Sequence, residues 1–135
     1  MTGRLKSQCA CRAVTYRVDD AFEYAMICHC SNCRRVTGSA FKPMGGIRLE
    51  RLEVESGADL LAERGDTYGH DVFCKGCGSL VWSVVRGGAW VHVTYGTLVD
   101  PPSLAPQCHI FVGSKAPWDQ ITDALPQHAA SPGAS

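Results

Sequence analysis

Long hydrophobic runs are missing from this sequence: nowhere do the roughly 20 consecutive apolar residues of a membrane-spanning helix occur. A spanning helix is excluded on that ground. The opening residues Met1-Thr2-Gly3-Arg4-Leu5-Lys6-Ser7 pass into polar side chains without an apolar signal region, so a cytoplasmic chain with no membrane partner is expected. Net charge is lacking too, since thirteen basic and thirteen acidic side chains cancel. Nucleic-acid binders usually carry a basic excess, and no nucleic-acid partner is expected. Helical periodicity is scarce, and there is no repeat or heptad run. Cysteine, by contrast, is abundant, with eight in 135 residues. In a secreted domain that density reads as a disulfide framework, and in a cytosolic chain it more often means metal.

The length suits one domain. Short strand-type runs separated by turn residues make the expected fold mainly β. Ala13–Val18 alternates and is rich in β-branched and aromatic residues. Tyr24–Cys28, Phe41–Met44, Leu52–Ser56 and His70–Cys74 follow as further candidates. Leu80–Val85 and Trp90–Tyr95, joined across Gly87-Gly88, predict a β-hairpin, because glycine reaches the positive φ that tight turns need. Three prolines make a loop of Thr97–Gln107, and His109–Val112 returns as a last strand. The boundaries are a zinc-binding domain over residues 1–121 and a tail over 122–135, poor in apolar residues and expected to be disordered.

Seven of the cysteines form three groups: Cys9/Cys11, Cys28/Cys30/Cys33 and Cys74/Cys77. Such spacings let sulfurs converge on one ion at about 2.3 Å. A structural zinc wants four ligands, so Cys9/Cys11 with Cys74/Cys77 would complete a four-thiolate centre. The middle group then holds a second zinc as a tripod with one place open, the pattern of a catalytic site. The alternative pairs Cys30/Cys33 with Cys74/Cys77 as an ordinary zinc ribbon. Two zinc ions per chain would support the first reading and one the second.

These residues resemble the family of glutathione-dependent formaldehyde-activating enzymes, which shares its domain with centromere protein V. The likeness rests on Cys9-Ala10-Cys11 before Val14-Thr15-Tyr16, on Cys28-His29-Cys30-Ser31-Asn32-Cys33-Arg34-Arg35 with Gly38-Ser39, and on Cys74-Lys75-Gly76-Cys77-Gly78-Ser79. His109–Val112 and Ser114-Lys115-Ala116-Pro117-Trp118 complete it, and it spans Leu5 to Ile121. The resemblance implies a β-tent (Mss4-like) fold of packed antiparallel sheets. It also implies a structural zinc on Cys9, Cys11, Cys74 and Cys77 and a catalytic zinc on Cys28, Cys30 and Cys33. Members often carry glycine where Arg12 stands, and Cys108 lies outside the pattern. Cys108 is either a packed thiol or a fourth ligand that would close the second site.

Three thiolates leave a zinc site formally at −1, a poor activator of water but a good host for an incoming soft thiol. The expected activity is therefore that of a carbon–sulfur lyase-type enzyme. It would join a thiol such as glutathione to a small aldehyde such as formaldehyde, or cleave the adduct. Arg34, Arg35 and Lys115, or Lys42, are the candidate cations for the thiol's carboxylates. His29, between two ligands, would point to the opposite face from Cys28 and is not a ligand. His109 is either a proton donor and acceptor beside the aldehyde oxygen or a satisfied structural histidine. Trp118 is expected as a core anchor. The competing functions are a non-catalytic zinc-stabilised binding module and a thiol or metal sensor.

Overall fold

Buried and exposed side chains alternate along the first two strands, whereas central strands are buried on both faces, and together they form two sheets that share a core. The computed structural model describes residues 3–132. Among the described residues the strands are β1 (Arg4–Gln8), β2 (Thr15–Asp19), β3 (Tyr24–Cys28), β4 (Lys42–Arg48), β5 (Leu52–Ser56), β6 (Leu61–Gly65), β7 (His70–Cys74), β8 (Leu80–Val85), β9 (Trp90–Thr94) and β10 (Cys108–Ile110). One α-helix, α1 (Ser31–Thr37), follows β3. The smaller sheet runs β1-β2-β5 and the larger β10-β3-β4-β9-β8-β7-β6. Every neighbouring pair is antiparallel except β10 with β3. The fold is mainly β, consistent with the β-tent, Mss4-like architecture.

The larger sheet has two faces with different work. Ile47, Val91, Val84, Val93, Trp82 and Val72 stand opposite one another across β4, β9, β8 and β7 and so share a face. That face packs on Leu5, Tyr16 and Val18 of the smaller sheet to make the main core. The Tyr16 and Trp82 rings meet edge-on at 5.0 Å. Full burial of such side chains is worth about 1.5–3 kcal/mol each.

The second face is read off the same registers. Cys28 lies opposite Lys42, Met26 opposite Met44, Gly46 opposite His92, His92 opposite Ser83, Ser83 opposite Asp71 and Asp71 opposite Arg64. A smaller apolar cluster of Cys28, Met44 and Ile110, with Met26, Cys30, Cys33, Cys108 and Phe111 against it, occupies this face. Gly46 is required here: a Cβ on it would come within 2.1 Å of Cζ in the Tyr24 ring, which lies across it. Tyr24 thereby reaches over the strand, its hydroxyl 2.6 Å from His92 Nε2.

Three expectations are corrected. Residues 122–132 of the tail are described and pair with β10, while residues 133–135 lie outside the described residues. Pro126 and Ala130 carbonyls accept from the His109 and Phe111 amides at 2.8 and 3.0 Å, and the His128 amide donates to the His109 carbonyl at 2.9 Å. The cause is β10, an edge strand whose free backbone groups need covering. Trp118 is 69% exposed and anchors no core. Strands β1 and β6 and helix α1 join the elements expected from the sequence.

Candidate metal and substrate site

The first cysteine group is assembled from two turns. Cys9 and Cys11 stand in the β1–β2 connection, and Cys74 and Cys77 in the turn that leaves β7. Their four sulfurs all lie within 4.8 Å of one another. The Cys9–Cys11 and Cys11–Cys74 sulfur separations are 3.5 and 3.8 Å. A tetrahedron with metal–sulfur bonds of about 2.3 Å has edges of about 3.8 Å, so the group fits a four-thiolate ion.

The turns are shaped for this. Gly78, at φ +79°, donates its amide to the Cys74 carbonyl at 2.7 Å. Ser79 Oγ accepts from the Ala10 amide at 2.9 Å and lies 3.2 Å from Cys77 Sγ, linking the two turns. Hydrogen bonds from the Ser79 hydroxyl and amide bring the Cys77 thiol down to about 5, ready as a thiolate ligand. Arg12 adopts φ +68° and donates its amide to the Cys9 carbonyl at 3.1 Å. The turn thus keeps a conformation that favours glycine although arginine occupies it.

The second group, Cys28, Cys30 and Cys33, also has its sulfurs within 4.8 Å. Cys28 ends β3, Cys30 caps α1, and Cys33 sits in its first turn. Cys30 Sγ accepts from the Cys33 amide at 3.2 Å. Gly38, at φ +62°, closes the helix by donating to the Arg34 carbonyl. Cys28 is drawn down to about 6, first by the hydrogen bond from Cys33, whose own thiol is pushed up. Among the described residues no other His, Cys, Asp or Glu joins these three as a ligand. Cys108, opposite Met26, packs in the adjoining cluster, and burial raises its thiol. The ribbon alternative fails, because Cys74 and Cys77 group with Cys9 and Cys11.

The candidate cations sort themselves by geometry. Lys42 is 4% exposed and lies directly opposite Cys28, so both side chains leave the same face. Its Nζ donates to Ser83 Oγ at 2.9 Å, Ser83 Oγ donates to Asp71 Oδ1 at 2.6 Å, and Arg64 pairs with Asp71 Oδ2 at 3.0 Å. Burial lowers the Lys42 ammonium from its ordinary value, while the three cysteines and Asp71 act in the opposite sense. Arg34 and Arg35 stand in the last turn of α1, Arg34 half-buried and Arg35 exposed. Lys115 Nζ donates to the Ala116 and Asp119 carbonyls of its own loop.

His109 is likewise held by its neighbours. It is 3% exposed, and both ring nitrogens are engaged: Nδ1 with His29 Nε2 at 2.8 Å and Nε2 with Asp123 at 3.0 Å. It lies opposite Ile27, one residue out of phase with Cys28. By strand alternation it therefore faces away from the tripod. His29, fully buried, is no ligand, and desolvation lowers its pKa. The histidine pair anchors the ligand segment from behind, helped by the His29 amide donating to the Ile110 carbonyl at 2.9 Å.

A cleft of about 360 Å³ is lined by Asn32 from the ligand segment and by Arg64, Asp71 and Ser83, among others, and none of the three cysteines lines it. Its volume lies within the ordinary range of small-ligand pockets.

The model of the family described as glutathione-dependent formaldehyde-activating enzyme matches residues 4–114. The chain belongs to this family. A crystal structure of a Rhodobacter sphaeroides protein, a structural-genomics target, is similar to this member at 27% identity, with a TM-score of 0.59. The match covers 76% of this chain and 98% of the other. No curated protein matches. Both cysteine groups lie in positions where each could hold a metal ion. No described helix is long and apolar enough to cross a membrane.

Proposed function

We propose that this family member is a zinc-dependent carbon–sulfur lyase-type enzyme that joins a glutathione-like thiol to a small formaldehyde-like aldehyde, or cleaves the adduct. The observation that supports it above all is the ligand count: four cysteines in one group and three in the other. Zinc held by Cys9, Cys11, Cys74 and Cys77 is structural in this reading. Bound by Cys28, Cys30 and Cys33, zinc would supply a vacant position for a thiolate sulfur.

The addition forms a carbon–sulfur bond and moves the carbonyl π pair onto oxygen, which takes up the proton the thiol gives. No oxidant or reductant is needed. The chain's own residues bind and orient. Arg34 and Arg35, on the helix that carries the tripod, offer cations to the thiol's carboxylates. Lys42 offsets the negative charge that three thiolates leave on a divalent ion. The apolar cluster of Met26, Met44, Ile110 and Phe111 keeps water from the sulfurs. Partners are a small thiol and a small aldehyde, without nucleic acid or membrane, in the cytoplasm.

The test is to load purified protein with zinc and follow glutathione and formaldehyde forming S-hydroxymethylglutathione by exchange NMR. Catalysed exchange is expected, together with an added sulfur at one of two zinc ions in absorption-edge spectra when glutathione binds. Fully loaded protein that leaves the exchange rate at its uncatalysed value, with both ions already coordinated by four protein sulfurs, would refute the enzyme and leave a structural zinc module.

A further inference from the structure

Lys42 poses a problem that charge balance does not solve. An ammonium carries three donors, and buried donors are as a rule satisfied. Lys42 is 4% exposed, yet its recorded acceptor is Ser83 Oγ alone. Cys28 lies opposite Lys42 in the strand register, but among the described residues no cysteine of the tripod is hydrogen-bonded to Nζ. Donor capacity is therefore left over on the sheet face that Cys28 occupies.

The ammonium is also held from behind. Ser83 accepts from Lys42 and donates to Asp71 Oδ1, and Asp71 Oδ2 is fixed by Arg64. This chain runs across β8, β7 and β6 on the face that Cys28 occupies, along the wall of the cleft. Its far end is open to solvent and its near end is buried, where a charge–dipole contact is stronger than in water. A carboxylate clamp does not suit such a place. The carboxylates of a thiol-bearing peptide lie several bonds from its sulfur, whereas Lys42 stands on the strand next to Cys28.

We propose that Lys42 is a catalytic residue, whose ammonium donates hydrogen bonds to the aldehyde oxygen as the carbon–sulfur bond forms, with Ser83 and Asp71 as its positioning residues. The inference rests on the thiol–aldehyde reading of the site. During addition the carbonyl oxygen gains the π electron pair, and its negative charge develops against a cation already in position. In the reverse direction the same contact holds the hydroxyl oxygen of the adduct. Lys42 stays an ammonium throughout and gives up no proton.

The experiment compares zinc-loaded wild type with Lys42→Met and Ser83→Ala. Methionine fills the lysine's volume with apolar atoms, and Asp71 keeps Arg64 and Ser83, so the fold is expected to persist. Removing one donor of this kind lowers kcat by about 100- to 1,000-fold in other enzymes. A fall of that order is expected for Lys42→Met, with the KM for glutathione within twofold and zinc still at two per chain. Ser83→Ala should lose less. Nitrogen NMR of wild type should show the Lys42 side chain as an ammonium at neutral pH.

Four results overturn the proposal: unchanged kcat in Lys42→Met, a raised KM for glutathione without a loss of kcat, a defect that disappears once zinc saturates, or a neutral amine at Lys42. The second would make it a carboxylate clamp, and the third a mere charge balance for the metal. Wild type that fails to catalyse the reaction sinks the underlying reading instead, so the two failures are told apart.

Discussion

Acidification of the second sheet face should unfold this protein through His92, by an amount that follows from its surroundings. The ring lies between β4 and β8, its Nε2 2.6 Å from the Tyr24 hydroxyl and its edge against the Tyr24 ring at 5.5 Å. Arg86 covers the neighbouring Trp90 at 4.6 Å. Burial first, then the Lys42 and Arg86 charges, pull the His92 pKa from 6.5 to about 4. The folded state therefore holds a neutral ring where the unfolded chain would take a proton. Stability from this source is complete above about 6.5 and declines as pH falls toward about 4, where the folded ring also titrates. Across that window the loss is about 3 kcal/mol, at 1.36 kcal/mol for each tenfold change in proton affinity. Both cysteine groups also lose metal in acid, so wild type alone is not a clean measure. His92→Gln keeps a side chain that can accept from Tyr24 and removes the titration. Denaturant unfolding of both proteins from pH 7.5 to 4.5 should show wild type losing about 2.5 kcal/mol more than the variant. Parallel curves would refute the reasoning, since they would mean His92 is as easily protonated in the fold as outside it.

Arg12→Gly should stabilise the protein by about 0.5–1 kcal/mol in thermal or denaturant unfolding, because relief of a left-handed arginine outweighs the added entropy of glycine in the unfolded chain. Cys9→Ser and Cys30→Ser should each reduce bound zinc from two ions to one, measured by elemental analysis. The two should differ in stability. The first group joins turns 63 residues apart, from Cys11 to Cys74, and metal at a thousandfold its dissociation constant contributes about 4 kcal/mol to such a fold. Cys30→Ser opens a group within six residues and leaves serine as a good helix cap, so its unfolding midpoint should fall much less. Equal losses in the two variants would contradict the division into structural and open sites.

The sequence made the cysteine groups legible because ligand spacing is local and the pairing of doublets follows from counting. The strands that alternate clearly, such as Thr15–Asp19 and Trp90–Thr94, were equally visible. Arg4–Gln8 was not, since its buried side chains are Leu5 and Ser7 and a buried serine breaks the hydrophobic pattern. Leu61–Gly65 is an edge strand with exposed charges and reads as loop. Helix Ser31–Thr37 is two turns long with Val36 as its aliphatic residue, too short for periodicity. Gly38 after Thr37 was the available signal, a left-handed helix stop. The tail was misjudged because it pairs through backbone to an edge strand, and composition reports side chains. Lys42 was named among several cations, but its depth depends on register: only its place opposite Cys28 puts it beneath the site.

That register explains why one sheet can carry both stability and chemistry. A strand offers alternate residues to opposite faces, so Val91 and Val93 of β9 enter the core while His92 between them faces Ser83 on the other side. The same alternation puts Cys28 and His29 on opposite sides, the sulfur on the face of Lys42 and the imidazole toward His109 and Asp123. A one-residue slip of β3 would exchange them, burying a histidine beside the lysine and turning a ligand away. The parallel pairing with β10 and the ordered residues 126–130 beyond it hold β3 against that slip. The tail thus belongs to the site although it supplies no ligand to it.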